Sequence, residues 1–290
     1  MSEWVIGIIG GSGLYALDAL EDAQWIEVVT PWGQASDALL LGRLHGIRFA
    51  FLPRHGRGHV IPPSCLNFRA NIDALKRVGC TDIVAISAIG SLREALPPGR
   101  FVVVDQFIDR TVGRTSSFFG PGLTAHVSMA DPVCPRLSGL AATAAEAAGA
   151  EVTRGGCYLA MEGPAFSTRA ESHMYRSWGC DVIGMTAMPE AKLAREAELP
   201  YALVGMVTDY DCWREEEEPV EASTVIARLN ANAATARGMI EQLALALPAE
   251  RSPSPIDNVL DRAIITPSAS RRPEMLAKLD AIGRRLFGAG

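Results

Sequence analysis

Short β-branched runs alternate with longer Ala- and Leu-periodic stretches along most of this 290-residue chain, and that alternation leaves few folds open. It predicts an α/β domain whose strands lie buried in a central sheet. Residues 4–9, 48–53, 82–87, 101–105 and 201–207 read as strands. Each runs into Gly, Pro, Ser or Asp at or near its end, which places functional loops at the carboxyl ends of the strands. The stretches 64–78, 135–148, 167–178, 189–197 and 222–247 read as helices, several with proline near the start. In the last of them Val225, Ile226, Leu229 and Ala233 fall on one apolar stripe.

After residue 247 the chain turns to Pro-Ala-Glu-Arg-Ser-Pro-Ser-Pro. The main domain is therefore expected over 1–250, with 251–290 a linker followed by an amphipathic helix over 273–287. Arg271, Arg272, Arg284 and Arg285 flank that helix, but Leu276, Leu279, Ile282 and Leu286 predict docking with a solvated basic face rather than a recognition element.

Composition narrows the function. With 27 basic and 33 acidic residues, the net charge of −6 supplies no field to attract nucleic acid or anionic lipid. No run approaches the roughly 18 apolar residues of a membrane-spanning helix. The start, Met-Ser-Glu-Trp, does not resemble a secretory signal, so a cytoplasmic location is expected. Cys65, Cys80, Cys134, Cys157, Cys180 and Cys212 are scattered without a Cys-x-x-Cys pair, which suggests core thiols rather than zinc or redox chemistry. His55 and His59 have the spacing of a helical metal pair, yet prolines follow directly and no Glu separates them, so no metal is expected.

Several strand ends carry chemistry. Ile-Gly-Ile-Ile-Gly-Gly-Ser-Gly-Leu, from Ile6 to Leu14, runs an apolar strand into a glycine-rich turn where backbone N–H groups and Ser12 can converge on an anion. The same turn satisfies a loose dinucleotide fingerprint, but Glu27 lies inside a strand and 17–24 makes a poor crossover helix. Pro-Arg-His-Gly-Arg-Gly-His follows the 48–53 strand and offers Arg54 and His55 first, His59 second, as phosphate partners. Arg57 reads equally well as a surface ion-pair partner. Ser87-Ala88-Ile89-Gly90-Ser91 brings a hydroxyl and small residues to a third strand end. If the three strands are neighbours, all three ends point to one phosphate.

Two further stretches suggest a base and its acid. Phe166, in Met-Glu-Gly-Pro-Ala-Phe-Ser, offers an aromatic face for a heterocycle, although a core position explains it as well. Met185 sits at a strand end and suits either a sugar floor or the core. Asp209 and Asp211 end the 201–207 strand with one residue between them, and extended alternation would aim both to one side. Two acids in a partly apolar pocket push one pKa upward, and a carboxyl that keeps its proton can protonate a leaving group; the bland reading is a capping pair.

Together these stretches resemble the purine nucleoside phosphorylase superfamily, most closely its 5′-methylthioadenosine phosphorylase branch, from Ile6 to about residue 247. Further markers are Asn67 to Leu75, Gly-Ser-Leu-Arg-Glu, Asp105 to Asp109, and Gly184-Met185-Thr186-Ala187-Met188-Pro189-Glu190. The resemblance implies a three-layer α/β fold with a central mixed sheet flanked by helices. It implies phosphorolysis of a purine N-glycosidic bond, with inorganic phosphate as co-substrate and no metal or organic cofactor. By position, phosphate would meet Ser12, Arg54, His55, Ser87, Ala88 and Thr186. Phe166, Ile183 and Met185 would flank base and ribose, Asp209 would protonate purine N7, and Asp211 would accept from a 6-amino group. Ala222, Val225 and Ile226 match a methylthio pocket, and His126 matches a residue lent by a neighbouring subunit of a trimer. Ala165 and Gly184 stand where the branch commonly has Arg and Asn, and Ser12 and Ser87 stand where it commonly has Thr. Two other classes remain: a nicotinamide-dependent oxidoreductase using the Gly11 turn, and a silent nucleoside sensor, against which Asp209 and Arg54 both count.

Overall fold

The computed structural model describes residues 3–11, 13–14, 17–214 and 221–287. The chain begins with β1 (Val5–Gly10), β2 (Glu21–Ile26), β3 (Leu39–Leu44) and β4 (Ile47–Pro53), followed by α1 (Phe68–Arg77). Next come β5 (Asp82–Ser91), β6 (Phe101–Val104), β7 (Gln106–Arg110), α2 (Pro135–Ala147), β8 (Val152–Arg154) and β9 (Cys157–Met161). Then follow α3 (Arg169–Ser177), β10 (Val182–Gly184), α4 (Ala187–Glu196), β11 (Tyr201–Asp209) and α5 (Ala222–Ala246). Two short helices, α6 (Pro273–Lys278) and α7 (Arg284–Phe287), close the chain.

The strands form one mixed sheet in the order β2-β3-β4-β1-β5-β10-β9-β7, with β11 pairing β5 and β6, and β6 also pairing β8. Period-two alternation sorts its side chains into two cores. Val5 and Ile9 of β1, Ile83 and Ala85 of β5, and Leu203 and Val207 of β11 face one side, where Ile72 and Leu75 of α1 and Ala191 and Leu193 of α4 cover them. Ile6 and Ile8, Val84 and Ile86, and Val204 and Met206 face the other, under Leu137 and Ala141 of α2 and Met239, Ile240 and Leu243 of α5. The result is the expected three-layer α/β architecture.

Register then places the site. β1 runs parallel to both β4 and β5, and β5 runs parallel to β11. The three strand ends expected to share an anion are therefore neighbours at one edge of the sheet, and the Asp209 end of β11 joins them. No helix forms over 17–24; the chain there enters β2, so the crossover that a dinucleotide fold needs is missing.

Three expectations need correction. β5 continues through Ser91, so Ser87–Ser91 is strand rather than loop, held by antiparallel pairing of Val182 and Ile183 with Ser91 and Gly90. The helix expected over 64–78 is a 3-10 turn at Pro63–Cys65 followed by α1, because Asn67 caps the helix by accepting from the Ala70 N–H. The helix expected over 273–287 breaks between α6 and α7, where Gly283 lets the Phe287 ring fold back closely. Docking of this segment is extensive: Leu279 and Ile282 sit in the main core, and Arg285 bridges Glu198 at 2.7 Å and Asp261 at 2.6 Å.

Candidate active site

The floor of the site is a buried ion pair. Arg54 follows β4, and its N–H donates to the Gly10 carbonyl at the end of β1 (2.9 Å). Its guanidinium donates from Nε and Nη2 to Glu190 (2.9 and 3.0 Å), from Nη1 to the Ile86 carbonyl (3.0 Å), and from Nη2 to the Ile9 carbonyl (3.4 Å). Tyr201 donates its hydroxyl to the same Glu190 carboxylate (2.9 Å). Burial works against the Arg54 charge, but Glu190 outweighs it and raises the pKa. The sequence suggests a loop guanidinium presented to phosphate; here four of its five donors already have protein partners.

Ser87, next to Ile86 in β5, meets Thr186 with their hydroxyl oxygens 3.4 Å apart, and Ala88 is half-buried after it. Thr186 precedes α4, whose backbone is extended at Met188 (φ −117°, ψ 133°) before the continuous helix begins. Its N–H points to the hydroxyl of buried Tyr158 at 3.5 Å. Gly184 makes room for that ring: a Cβ there would collide with the Tyr158 hydroxyl and lie 2.7 Å from its Cζ.

His55 differs in kind from the expectation. Its Nδ1 lies 2.9 Å from the Ile61 carbonyl, which can only accept, so Nδ1 carries the ring hydrogen. Burial pushes its pKa down to about 4, so the ring is neutral near pH 7 and Nε2 offers a lone pair rather than a proton. His59 stacks on it with centroids 4.2 Å apart. Arg57 pairs with Asp37 at the surface. Ser12 lies outside the described residues.

Gly90 is the hinge point of the acidic end. A Cβ there would lie 2.9 Å from Asp209 Oδ1, 3.0 Å from Ile183 and 3.6 Å from Asp211 Cβ, so the missing side chain brings all three together. The two acids do not converge by extended alternation. The β5/β11 register shifts between Val207 and Asp209, and Asp211 takes a left-handed φ of 51° so that its N–H donates to Asp209 Oδ1 (2.8 Å). Burial raises the Asp211 pKa against the pull of the Ser172 and Ser167 hydroxyls and the Cys212 backbone. Neither hydroxyl closes a hydrogen bond to Oδ2, which is buried without a partner. A buried carboxylate oxygen left open in this way suits a ligand donor.

The base-side residues line up less completely. Met185 packs against the Gly163 turn, where a Cβ would lie 2.5 Å from its Sδ, and Phe166 stays 42% exposed. Ala222 and Ile226 are exposed and Val225 half-buried at the start of α5, while Leu229 reaches the Gly11 turn. His126 is exposed, with its N–H tied to the Ala263 carbonyl. Among the described residues no group of three or more His, Cys, Asp or Glu is placed to hold a metal ion.

Arg114 escaped the sequence reading. It donates from Nη1 to the carbonyls of Met185 (2.7 Å) and Met188 (2.8 Å), and from Nη2 to that of Glu162 (2.6 Å), clamping both loops that carry Met185 and Phe166. A lone Arg in a Gly-, Ser- and Thr-rich stretch gives no local signal; only the carbonyls it meets, from 48 to 74 residues away, reveal it.

Known proteins are similar to this chain in sequence and fold. A model of the phosphorylase superfamily matches residues 5–244. An S-methyl-5′-thioadenosine phosphorylase of Cereibacter sphaeroides is 58% identical over 285 residues, 98% of each chain, and one of Bradyrhizobium diazoefficiens is 53% identical over 289 residues, 99% of each. A methylthioadenosine phosphorylase from an antarctic soil metagenomic library has a similar crystal structure, with a TM-score of 0.91 at 45% identity, covering 97% of this chain and 99% of that one. The methylthioadenosine phosphorylase of Schistosoma mansoni in complex with adenine gives 0.81 at 38% identity, covering 85% and 93%. The chain belongs to the phosphorylase superfamily, and within it to the S-methyl-5′-thioadenosine phosphorylase branch.

Proposed function

We propose that this protein cleaves S-methyl-5′-thioadenosine with inorganic phosphate, releasing adenine and 5-methylthioribose 1-phosphate. The observation that carries this reading is the meeting at one sheet edge of the Arg54, Ser87 and Thr186 pocket with the Asp209 and Asp211 pair around Gly90. Phosphate sits in the first, adenine against the second, and the ribose spans them over Met185.

The chemistry follows from charge. Breaking the N9–C1′ bond leaves an oxocarbenium-like sugar and a purine carrying the bonding electrons. Phosphate held below C1′ stabilises the positive charge and then forms the new C1′–O bond. Asp209 gives a proton to N7 of the leaving base. Asp211 accepts a hydrogen from the 6-amino group through the open Oδ2. A 6-oxo group would set two acceptors against each other, so adenine is favoured. Phe166 and Ile183 border the base. His55 and Ala88 border the phosphate, with His55 Nε2 accepting from the phosphate P–OH.

The active unit is a homotrimer in which His126 reaches a neighbour's cleft, a reading supported by its exposure and by the bare apolar surface of Phe166 (42%) and Ile226 (56%). Ala222, Val225 and Ile226 close over the methylthio group. No metal or organic cofactor takes part. Six free thiols support a reducing, cytoplasmic setting. Among the described residues no helix is long and apolar enough to cross a membrane. Incubating purified protein with S-methyl-5′-thioadenosine, with and without phosphate, and separating the products tests the reading: adenine and the sugar phosphate should appear only with phosphate. Equal adenine release without it would make the protein a hydrolase.

A further inference from the structure

We infer that Thr208 is a positioning residue, a hydroxyl rotor that keeps the Asp209 carboxyl hydrogen-bonded both with and without its proton. The inference rests on the assignment of Asp209 as the acid. In a regular strand neighbouring side chains point to opposite faces. Here the register shift between Val207 and Asp209 turns Thr208 and Asp209 toward each other, and Thr208 Oγ1 lies 2.6 Å from Asp209 Oδ2. The same Oγ1 lies 3.2 Å from the Ile89 carbonyl of β5. A hydroxyl has one hydrogen, so it can serve only one of these acceptors at a time.

That restriction is what makes the arrangement useful. With Asp209 charged, Thr208 donates to Oδ2 in a short, charge-assisted bond. With Asp209 protonated, Oδ2–H donates to Thr208 Oγ1, and the threonine hydrogen rotates to the Ile89 carbonyl. In both states the Asp209 carboxyl keeps its hydrogen bond to Thr208, and the two differ by one proton and a hydroxyl rotation. Thr208 is 2% exposed, so water does not take its place. During the reaction the Oδ2–H turns from Thr208 Oγ1 to N7 and passes to it while the N9–C1′ bond breaks, and the Thr208 hydrogen swings from the Ile89 carbonyl back to Oδ2 as the carboxylate charge develops. The proton count closes because monohydrogen phosphate loses its hydrogen on bonding C1′, and that proton restores Asp209.

Asp211 shares the turn; Glu171 and Tyr175 from α3, with Cys212, act on Asp211. β5 and β10 contribute uncharged Gly90 and Ile183.

The test compares Thr208→Val, Thr208→Ser and Asp209→Asn by pH profiles of kcat and KM. Valine keeps the shape and deletes the rotor. It should lower kcat roughly tenfold to a hundredfold with the nucleoside KM within about threefold, because only the proton-transfer step loses support. The descending alkaline limb of kcat should move to higher pH, since the charged form loses the Thr208 donor while keeping the Asp211 N–H. Serine should restore both to within about twofold, as its hydroxyl makes the same bonds. A valine variant with the wild-type limb, or a serine variant no better than valine, overturns the proposal; Thr208→Ala replaces valine should that variant not fold. Retained activity in Asp209→Asn would instead defeat the acid assignment. An inactive Asp209→Asn beside an unshifted Thr208→Val defeats the rotor alone.

Discussion

Glu190 grips Arg54 with both carboxylate oxygens, at 2.9 and 3.0 Å, and neither side chain is more than 2% exposed. This pair joins α4 to the ends of β1 and β4 and to Ile86 within β5, tying the strand-end cluster to the helix that follows Thr186. Removing one member strands the other charge inside the protein, at a cost of about 3–5 kcal/mol. Glu190→Ala should therefore lower the urea unfolding free energy by that amount. A loss under about 1 kcal/mol would show that the guanidinium finds another partner.

Asp211 is predicted to choose the base. Asp211→Asn should shrink the preference for 6-amino over 6-oxo nucleosides by about a hundredfold, since asparagine can turn a donor toward an oxo group. Side-by-side kcat/KM values on the two substrates check it, and an unchanged ratio would remove Asp211 from the base site.

Arg114 is predicted to hold the substrate floor. Lysine cannot span the three carbonyls that the guanidinium reaches, so Arg114→Lys should raise the nucleoside KM about tenfold through small displacements of Met185 and the Glu162 turn. Saturation curves for nucleoside and phosphate provide the measurement; a nucleoside KM within twofold of wild type would count against the clamp.

Glu196 supplies a stability signature. It accepts from the Ser117 hydroxyl and the Phe118 N–H, yet burial pushes its carboxyl up to about 7. A carboxyl raised in the folded state binds its proton more tightly there than in the unfolded chain. Its contribution is thus fully present below the ordinary carboxylate range and is lost as pH rises to about 7. Between pH 5 and 8 wild type should lose about 2 kcal/mol relative to Glu196→Gln, read from unfolding curves of both. Parallel pH dependences in the two proteins would disprove it.

The sequence revealed the parts of this molecule whose cause is local. The strands around residues 4–9, 48–53, 82–87, 101–105 and 201–207 were legible because burial on both faces leaves continuous apolar runs. β2 was not, since its Glu-Asp-Ala-Gln-Trp-Ile lies almost wholly exposed and shows no alternation. The acids Asp209 and Asp211 stood out by spacing, but the bulge and the left-handed Asp211 that join them depend on Gly90 in another strand. Arg54 was recognisable as a functional cation, whereas nothing local marked Glu190, 136 residues further on, as its partner. The broken final helix had the right apolar spacing throughout, because a turn at 279–283 keeps Leu279 and Ile282 on the core side as well as a helix would.

The fit of Tyr158 beneath Gly184 restricts the order in which this sequence can change. With the ring in place, every residue larger than glycine at 184 meets an occupied volume, whereas replacing the ring first leaves a cavity that a side chain at 184 can enter. Variation at these two positions is therefore directional: 158 must yield before 184 can gain a side chain, and a library that samples 184 alone would record an intolerant position where a paired library would find a permissive one.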